Sequence, residues 1–218
     1  MTETNTSGII TAAADIIAGA FNALPKRVCN QHKFSDYADY LHENLPAQAE
    51  LDLQREKPLN PAPLVSVAIA CSGASRAAVR STLEALGKQT YANFEVCLVS
   101  ELAQAGLTDY EGIPKFRLVL FNGTAHEQLK AAEKMLNGAY FLQLLPGDLP
   151  APDALHMLVL QTHANPEAEV VFADEDSVID GIRQNPIFKP DYGRDTLRSF
   201  NSIGRPMLVS KRVHTAWG

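Results

Sequence analysis

The sequence predicts an α/β domain: a mostly parallel sheet with helices on both faces, preceded by a small helical N-terminal segment. Three observations carry that expectation. From Leu64 onward, apolar runs of strand length alternate with stretches of helical period, the pattern left by parallel strands and their crossover helices. A chain of 218 residues with 46% hydrophobic content is long enough for one well-packed core plus an appendage. The apolar run Val170-Val171-Phe172-Ala173 ends abruptly in Asp174-Glu175-Asp176, as expected at the C-terminal edge of a strand where open α/β sheets place their ligands.

Taken in order, residues 1–7 are polar, and Ser7 is suited to cap a helix over 8–24 whose Ile9, Ala13, Ile16, Ile17, Ala20 and Phe21 share one face. That stripe could rest on the main domain, on another subunit or on a membrane surface. Its polar face has almost no Lys or Arg to attract anionic lipid, which favours packing on protein. Asp15, Gly19 and Asn22 interrupt the run, which falls short of the ~20 residues that cross a bilayer. Tyr37, Tyr40 and Leu41 suggest a short helix before Glu43-Asn44-Leu45-Pro46, and Pro58, Pro61 and Pro63 a stiff linker. The boundary is placed near residue 62, with an N-terminal extension over 1–62 and the main domain over 63–218.

Within the main domain, Val65–Ala70 reads as the first strand, 75–88 as a helix with Val79, Leu83 and Leu86 inward, and 94–99 as the second strand. A third strand over 116–121 precedes Thr124 and Glu127 in capping-box spacing, and the helix they open is expected to end at Gly138. A strand over 140–145 follows. Pro152 suits the first turn of a helix that stops before Asn165-Pro166, and Asp180-Gly181 marks a turn.

The net charge of -6 and a pI near 5.5, with no basic run, argue against a nucleic-acid surface. An anionic ligand would have to be held by helix N-termini, local cations or a metal ion. Cys29, Cys71 and Cys97 have neither the spacing of a disulfide framework nor that of a zinc site, and fit a reducing cytoplasm. The opening Met1-Thr2-Glu3 lacks the basic patch of a secretory signal. His126, His156, His163 and His214 have no Ser, Cys or acidic partner at a telling spacing, and no P-loop or dinucleotide fingerprint is present.

Alone, an acidic triplet reads as a hydrated turn. Its continuation is more specific: Phe172-Ala173-Asp174-Glu175-Asp176, then Pro186-Ile187-Phe188-Lys189-Pro190-Asp191, then Asn201-Ser202-Ile203-Gly204 and Met207-Leu208-Val209. This series resembles the family 2 glycosyltransferases, which have a GT-A (Rossmann-like) fold, and especially the branch acting in bacterial surface-polysaccharide and O-antigen assembly. Residues 36–55 are similar, more weakly, to the Tyr-rich helical lead-in of that branch.

The resemblance implies transfer of a sugar from a nucleotide-sugar donor to a surface-glycan acceptor, in the cytoplasm or peripheral to the inner membrane. It also implies Mg or Mn on an Asp-x-Asp element, the metal offsetting the charge of the leaving diphosphate. The donor-binding residues it points to are Glu101, Asp148, Asp174 and Asp176, with Asp148 as the metal ligand.

Several positions depart from the family pattern. The first strand ends in Ala70-Cys71-Ser72-Gly73 where the family has Pro-Thr-Tyr-Asn, and the second in Ser100-Glu101-Leu102-Ala103 where it has Asp-Asp-Gly-Ser. Asn122-Gly123 is retained, while the helix cation is Lys130, one position late and read as a solvated side chain. The family's Asp-x-Asp-Asp falls on Leu145-Pro146-Gly147-Asp148, so both carboxylates of Asp-x-Asp are replaced. The family's general base lies on an acidic segment beyond the 207–210 strand, and none can be named before Gly218. Two readings stay open: a transferase domain whose nucleotide-diphosphate binding is strengthened by Mn²⁺, or a non-catalytic scaffold acting on a partner protein or on itself through the 8–24 helix.

Overall fold

The computed structural model describes residues 37–101, 113–190 and 193–217. The expected 8–24 helix, Leu102-Ala103, Asp191 and Gly218 lie outside the described residues. Two lead-in helices, α1 (Tyr37–Asn44) and α2 (Gln48–Glu56), precede the main domain. Then follow β1 (Val65–Ala70), α3 (Arg76–Gly87), β2 (Phe94–Ser100), β3 (Phe116–Leu120), α4 (Ala125–Glu133), β4 (Tyr140–Leu144), α5 (Ala154–Ala164) and β5 (Val170–Phe172). The chain continues with β6 (Glu175–Ile179), β7 (Ile182–Ile187), α6 (Arg194–Ser199), β8 (Met207–Ser210) and α7 (Lys211–Trp217).

Six strands form one sheet in the order β3-β2-β1-β4-β8-β5, and the expected mostly parallel α/β fold is observed. Strands β1 to β4 pair in parallel, while β8 runs antiparallel to both neighbours. Every residue of β1 and β2 is buried, as a parallel sheet covered on both faces requires. On one face Val65, Val67, Ile69, Phe94, Val96 and Leu98 meet the inward residues of α3 and α5, including Leu83, Leu86, Leu155 and Val159. On the other, Ala68, Cys97, Val99 and Phe141 meet Ala132 and Leu136 at the α4 side.

Local chemistry sets the helix starts. The Ser75 hydroxyl accepts from the Ala78 N–H, and Thr124 with Glu127 forms a reciprocal capping box, as its spacing predicts. The expected end of that helix is corrected: α4 stops at Glu133, and Gly138 is not its cap. A Cβ at Gly138 would lie 2.5 Å from Ser66 Oγ and 2.8 Å from the Leu64 carbonyl oxygen, so this glycine permits a close approach to the first strand. Asp180 and Gly181, with φ of 52° and 78°, make the tight β6–β7 turn, both residues adopting the positive φ that such hairpins demand.

The lead-in helices are tied to the main domain at two places. On α2, Leu51 is buried and the Gln54 side-chain Oε1 accepts from the Thr90 hydroxyl at 2.6 Å. On α1, Tyr37 and Tyr40 pack against Phe188 beyond β7. No helix among the described residues is long and apolar enough to cross a membrane.

Candidate functional site

Chain order puts a topological switch in the sheet: β1, β2 and β3 proceed outward on one side, and β4 lies on the other side of β1. Open α/β sheets bind ligands outside the strand ends at such a point. Beyond β1, Gly73 with φ of 68° turns the chain toward α3, and the Ser72 hydroxyl donates to Glu101 Oε1 at 3.2 Å beyond β2. Both residues of this pair sit at the C-terminal edge. Cys71 beside them is no nucleophile at neutral pH, since burial pushes its thiol up to about 12.

Beyond β4 the turn over 145–148 is locked onto α3. The Gly147 N–H, at φ of 99°, reaches the Ala78 carbonyl at 3.0 Å and Thr82 Oγ1 at 2.8 Å. Asp148 Oδ2 accepts from the Leu145 N–H at 2.8 Å and pairs with Arg205 Nε at 3.1 Å. Side-by-side ends of β4 and β5 would have let Asp148 join Asp174 and Asp176. The structure instead inserts β8 between them, and because β8 is antiparallel, its lead-in residue Arg205 arrives at this edge.

The acidic triplet divides its partners. Asp174 Oδ1 accepts from the Lys189 N–H at 2.8 Å, and Glu175 Oε1 lies 3.5 Å from Lys189 Nζ. That ammonium also donates to the Arg205 carbonyl oxygen at 2.6 Å, and the side chain is only 2% exposed. Burial pushes the Lys189 ammonium below the ordinary lysine range, against the pull of Glu175 and Asp174. Asp176 turns to α1: its Oδ2 accepts from Tyr37 Oη at 2.5 Å and from Arg183 Nε at 2.6 Å. Asp148 and Asp174 are thus joined through Arg205 and Lys189, whereas Glu101 bonds to Ser72 and Asp176 to the lead-in helix. The Asn201 motif also has a local cause, its Oδ1 accepting from the Ile203 and Gly204 N–H groups at 3.2 Å to shape the turn before Arg205.

Sequence reasoning missed Arg205, Tyr37 and Arg183 as partners. Arg205 gave no signal, because its meeting with Asp148 across 57 positions depends on where β8 inserts. For a divalent metal, the stretch aligned with Asp-x-Asp-Asp supplies one carboxylate, that of Asp148, already bonded to Arg205 and to the Leu145 N–H. No cluster of three His, Cys, Asp or Glu among the described residues has metal-holding geometry. These residues do not fit a metal held by the protein alone.

Burial, followed by the bond to Asp176, pushes the Tyr37 phenol up to about 12. A phenol of raised pKa contributes stability that is fully present below its unfolded value of ~10 and lost as pH rises through its folded value. Phenolate absorbance should therefore show late-ionising tyrosines, Tyr37 together with Tyr91, which burial also raises to about 12. Tyr37→Phe should remove one late step and destabilise the fold by about 1 kcal/mol below pH 10. An unchanged late amplitude would contradict this assignment.

No family model matches the chain. The chain is 33% identical over 150 residues, 65% of its length, to the uncharacterized protein y4gI of Sinorhizobium fredii. It is 27% identical over 187 residues, 82% of its length, to the O-antigen biosynthesis protein RfbC of Myxococcus xanthus. The resemblance read from the acidic triplet onward agrees with the RfbC match. The chain spans 16% and 15% of the lengths of these two relatives. Among solved structures, S. aureus TarS 1-349 in complex with UDP is similar at 15% identity and a TM-score of 0.41, over 50% of this chain and 34% of that one. The mannosyltransferase PcManGT from Pyrobaculum calidifontis, in complex with GDP-Man and Mn2+, is similar at 19% identity and a TM-score of 0.39, over 75% of this chain and 46% of that one.

Proposed function

We propose that this chain is the donor-binding glycosyltransferase domain of a longer surface-polysaccharide assembly protein, moving a sugar from a nucleotide-sugar to a glycan acceptor on the cytoplasmic side. The observation that carries the reading is the edge at the switch point, where polar groups gather beyond strands that are otherwise apolar. Ser72 with Glu101 follows β1 and β2, Asp148 with Arg205 follows β4, and Asp174 with Lys189 follows β5.

In this reading the Ser72 hydroxyl and the Glu101 carboxylate meet the ribose or base. The Arg205 guanidinium supplies fixed positive charge toward the diphosphate, where charge develops as the sugar leaves. Mg or Mn arriving with the diphosphate would have to take Asp148 from Arg205. Calorimetry with UDP, GDP and TDP, each with and without Mn²⁺, tests the proposal. At least one should bind, and Arg205→Ala should weaken it about tenfold, ~1.4 kcal/mol. Absence of binding by all three, in both conditions, would remove the donor site.

One observation favours a second reading, a non-catalytic scaffold: Asp148 and Asp176 are each satisfied by two partners within the chain. That reading expects a domain indifferent to metal and nucleotide, with the 8–24 segment as an interface. Deleting residues 1–24 should then change oligomeric state or partner binding.

A further inference from the structure

A cavity of about 160 Å³ lies between α1 and the β6–β7 hairpin, on the other side of the acidic triplet from Arg205 and Asp148 in the chain of bonds described above. It is the size of a single ring, since an engineered protein cavity of ~150 Å³ takes up benzene. We propose that this pocket binds one uncharged pyranose unit of the glycan acceptor. Its role as an acceptor subsite rests on the sugar-transfer reading; its affinity for sugar does not.

The lining has two kinds of surface. Tyr37 and Tyr40 stack with centroids 5.8 Å apart and 16° between planes, and Phe188 stands edge-on to both at 6.3 and 5.0 Å. Asp174, Glu175 and Asn44 complete the lining, the Asn44 amide nitrogen donating to the Tyr40 carbonyl oxygen at 2.8 Å. Binding sites for small molecules combine such an apolar wall with a few placed polar groups. A pyranose matches both, with C–H groups on its ring face and hydroxyl donors around its rim.

Charge narrows the ligand. Arg183 also lines the pocket, but its guanidinium is bonded to Asp176 at 2.6 Å, and the Lys189 ammonium 3.5 Å from Glu175 balances one of the two lining carboxylates, so the lining keeps one negative charge and acceptors in excess. A phosphate or a uronate would meet that net negative charge, and a neutral polyol would meet hydrogen-bond acceptors. Position gives the pocket its use. Asp174 and Glu175 hold Lys189, Lys189 holds the Arg205 carbonyl, and Arg205 meets Asp148 beyond β4, so the same side chains connect this pocket to the proposed donor edge.

The test is saturation-transfer NMR on the 218-residue chain, with methyl glycosides of glucose, galactose, mannose and N-acetylglucosamine. Methyl glucuronide and inorganic phosphate serve as anionic probes, and UDP, GDP and TDP are titrated separately. At least one neutral glycoside should receive saturation while both anions receive none. Phe188→Leu, with folding checked by circular dichroism, should weaken the neutral glycoside about tenfold. Asn44→Ala, at the exposed end of α1, should weaken it several-fold and serves if the first variant does not fold.

The inference is overturned if no neutral glycoside is contacted, if contact is unchanged in both variants, or if glucuronide or phosphate is preferred. Glycoside binding without any nucleotide binding would sink the donor-site reading and leave the pocket standing. Nucleotide binding without glycoside binding would do the reverse.

Discussion

Replacing Glu95 with leucine is expected to destabilise the domain by about 3 kcal/mol, while Glu95→Gln should cost about 1 kcal/mol. Glu95 lies in β2 with its side chain 2% exposed, directly opposite Ser66 in β1. Its Oε1 accepts from the Ser66 hydroxyl and from the Asn137 N–H, both at 2.7 Å. Ser66 Oγ in turn accepts from the Gly138 N–H at 2.7 Å, and Arg117 approaches the other carboxylate oxygen at 3.8 Å. Leucine would strand a buried hydroxyl and a backbone donor, each worth roughly 1–3 kcal/mol when unpaired. Glutamine keeps the accepting oxygen and exchanges the other for an amide N–H toward Arg117, which is exposed enough to be hydrated. Urea unfolding with an unchanged m-value should show this order in the midpoints. Equal midpoints for the two variants would mean that the acceptor is dispensable.

That network also shows why the fold was legible in the sequence and where it was not. Strand spacing and the capping box are local, so the residues that make them are close in the chain, and β1, α3 and the Thr124-Glu127 box came out as expected. Gly138 was misread because helix-ending glycine and close-approach glycine look identical in one dimension. Only the neighbouring strand, 72 positions away, tells them apart. The place of β8 was equally hidden. A short run with three apolar residues states that it is a strand, but not which neighbours it takes or in which direction.

The site was legible as a set of residue types and not as a set of pairs. Sequence placed Glu101, Asp148 and Asp174 at strand ends, and strand ends are where they lie. Their partners are set by long-range geometry: Ser72 through the parallel pairing of β1 and β2, Arg205 through β8, and Tyr37 through a lead-in helix docked 139 positions from Asp176. An acidic triplet therefore could not reveal that Asp174 and Glu175 share one lysine while Asp176 serves a tyrosine and an arginine.

Lys189→Met should produce the other large effect, a loss of about 2–4 kcal/mol concentrated at one end of the sheet. The lysine side chain is almost fully enclosed, and its ammonium bridges Glu175 at the start of β6 and the Arg205 carbonyl ahead of β8. Methionine fills much of the same volume and makes neither bond, so the loss isolates the polar bridge from packing. Glu175 is about one-third exposed and can be hydrated, which keeps the cost below that of a fully stranded buried charge.

The same bridge fixes the turn that presents Arg205. Gly204 has φ of 55°, and a Cβ there would lie 2.9 Å from Glu175 Oε1, so the turn and the carboxylate are already in close contact. Hydrogen exchange in Lys189→Met should therefore rise over residues 173–190 and 201–206 while β1 and β2 keep their protection. If the switch-point edge binds nucleotide as proposed, affinity should fall as well, because the Arg205 pairing to Asp148 depends on the turn that Lys189 holds. Uniform acceleration across the whole sheet would show instead that Lys189 supports the fold globally and does not act as a local pin for the candidate site.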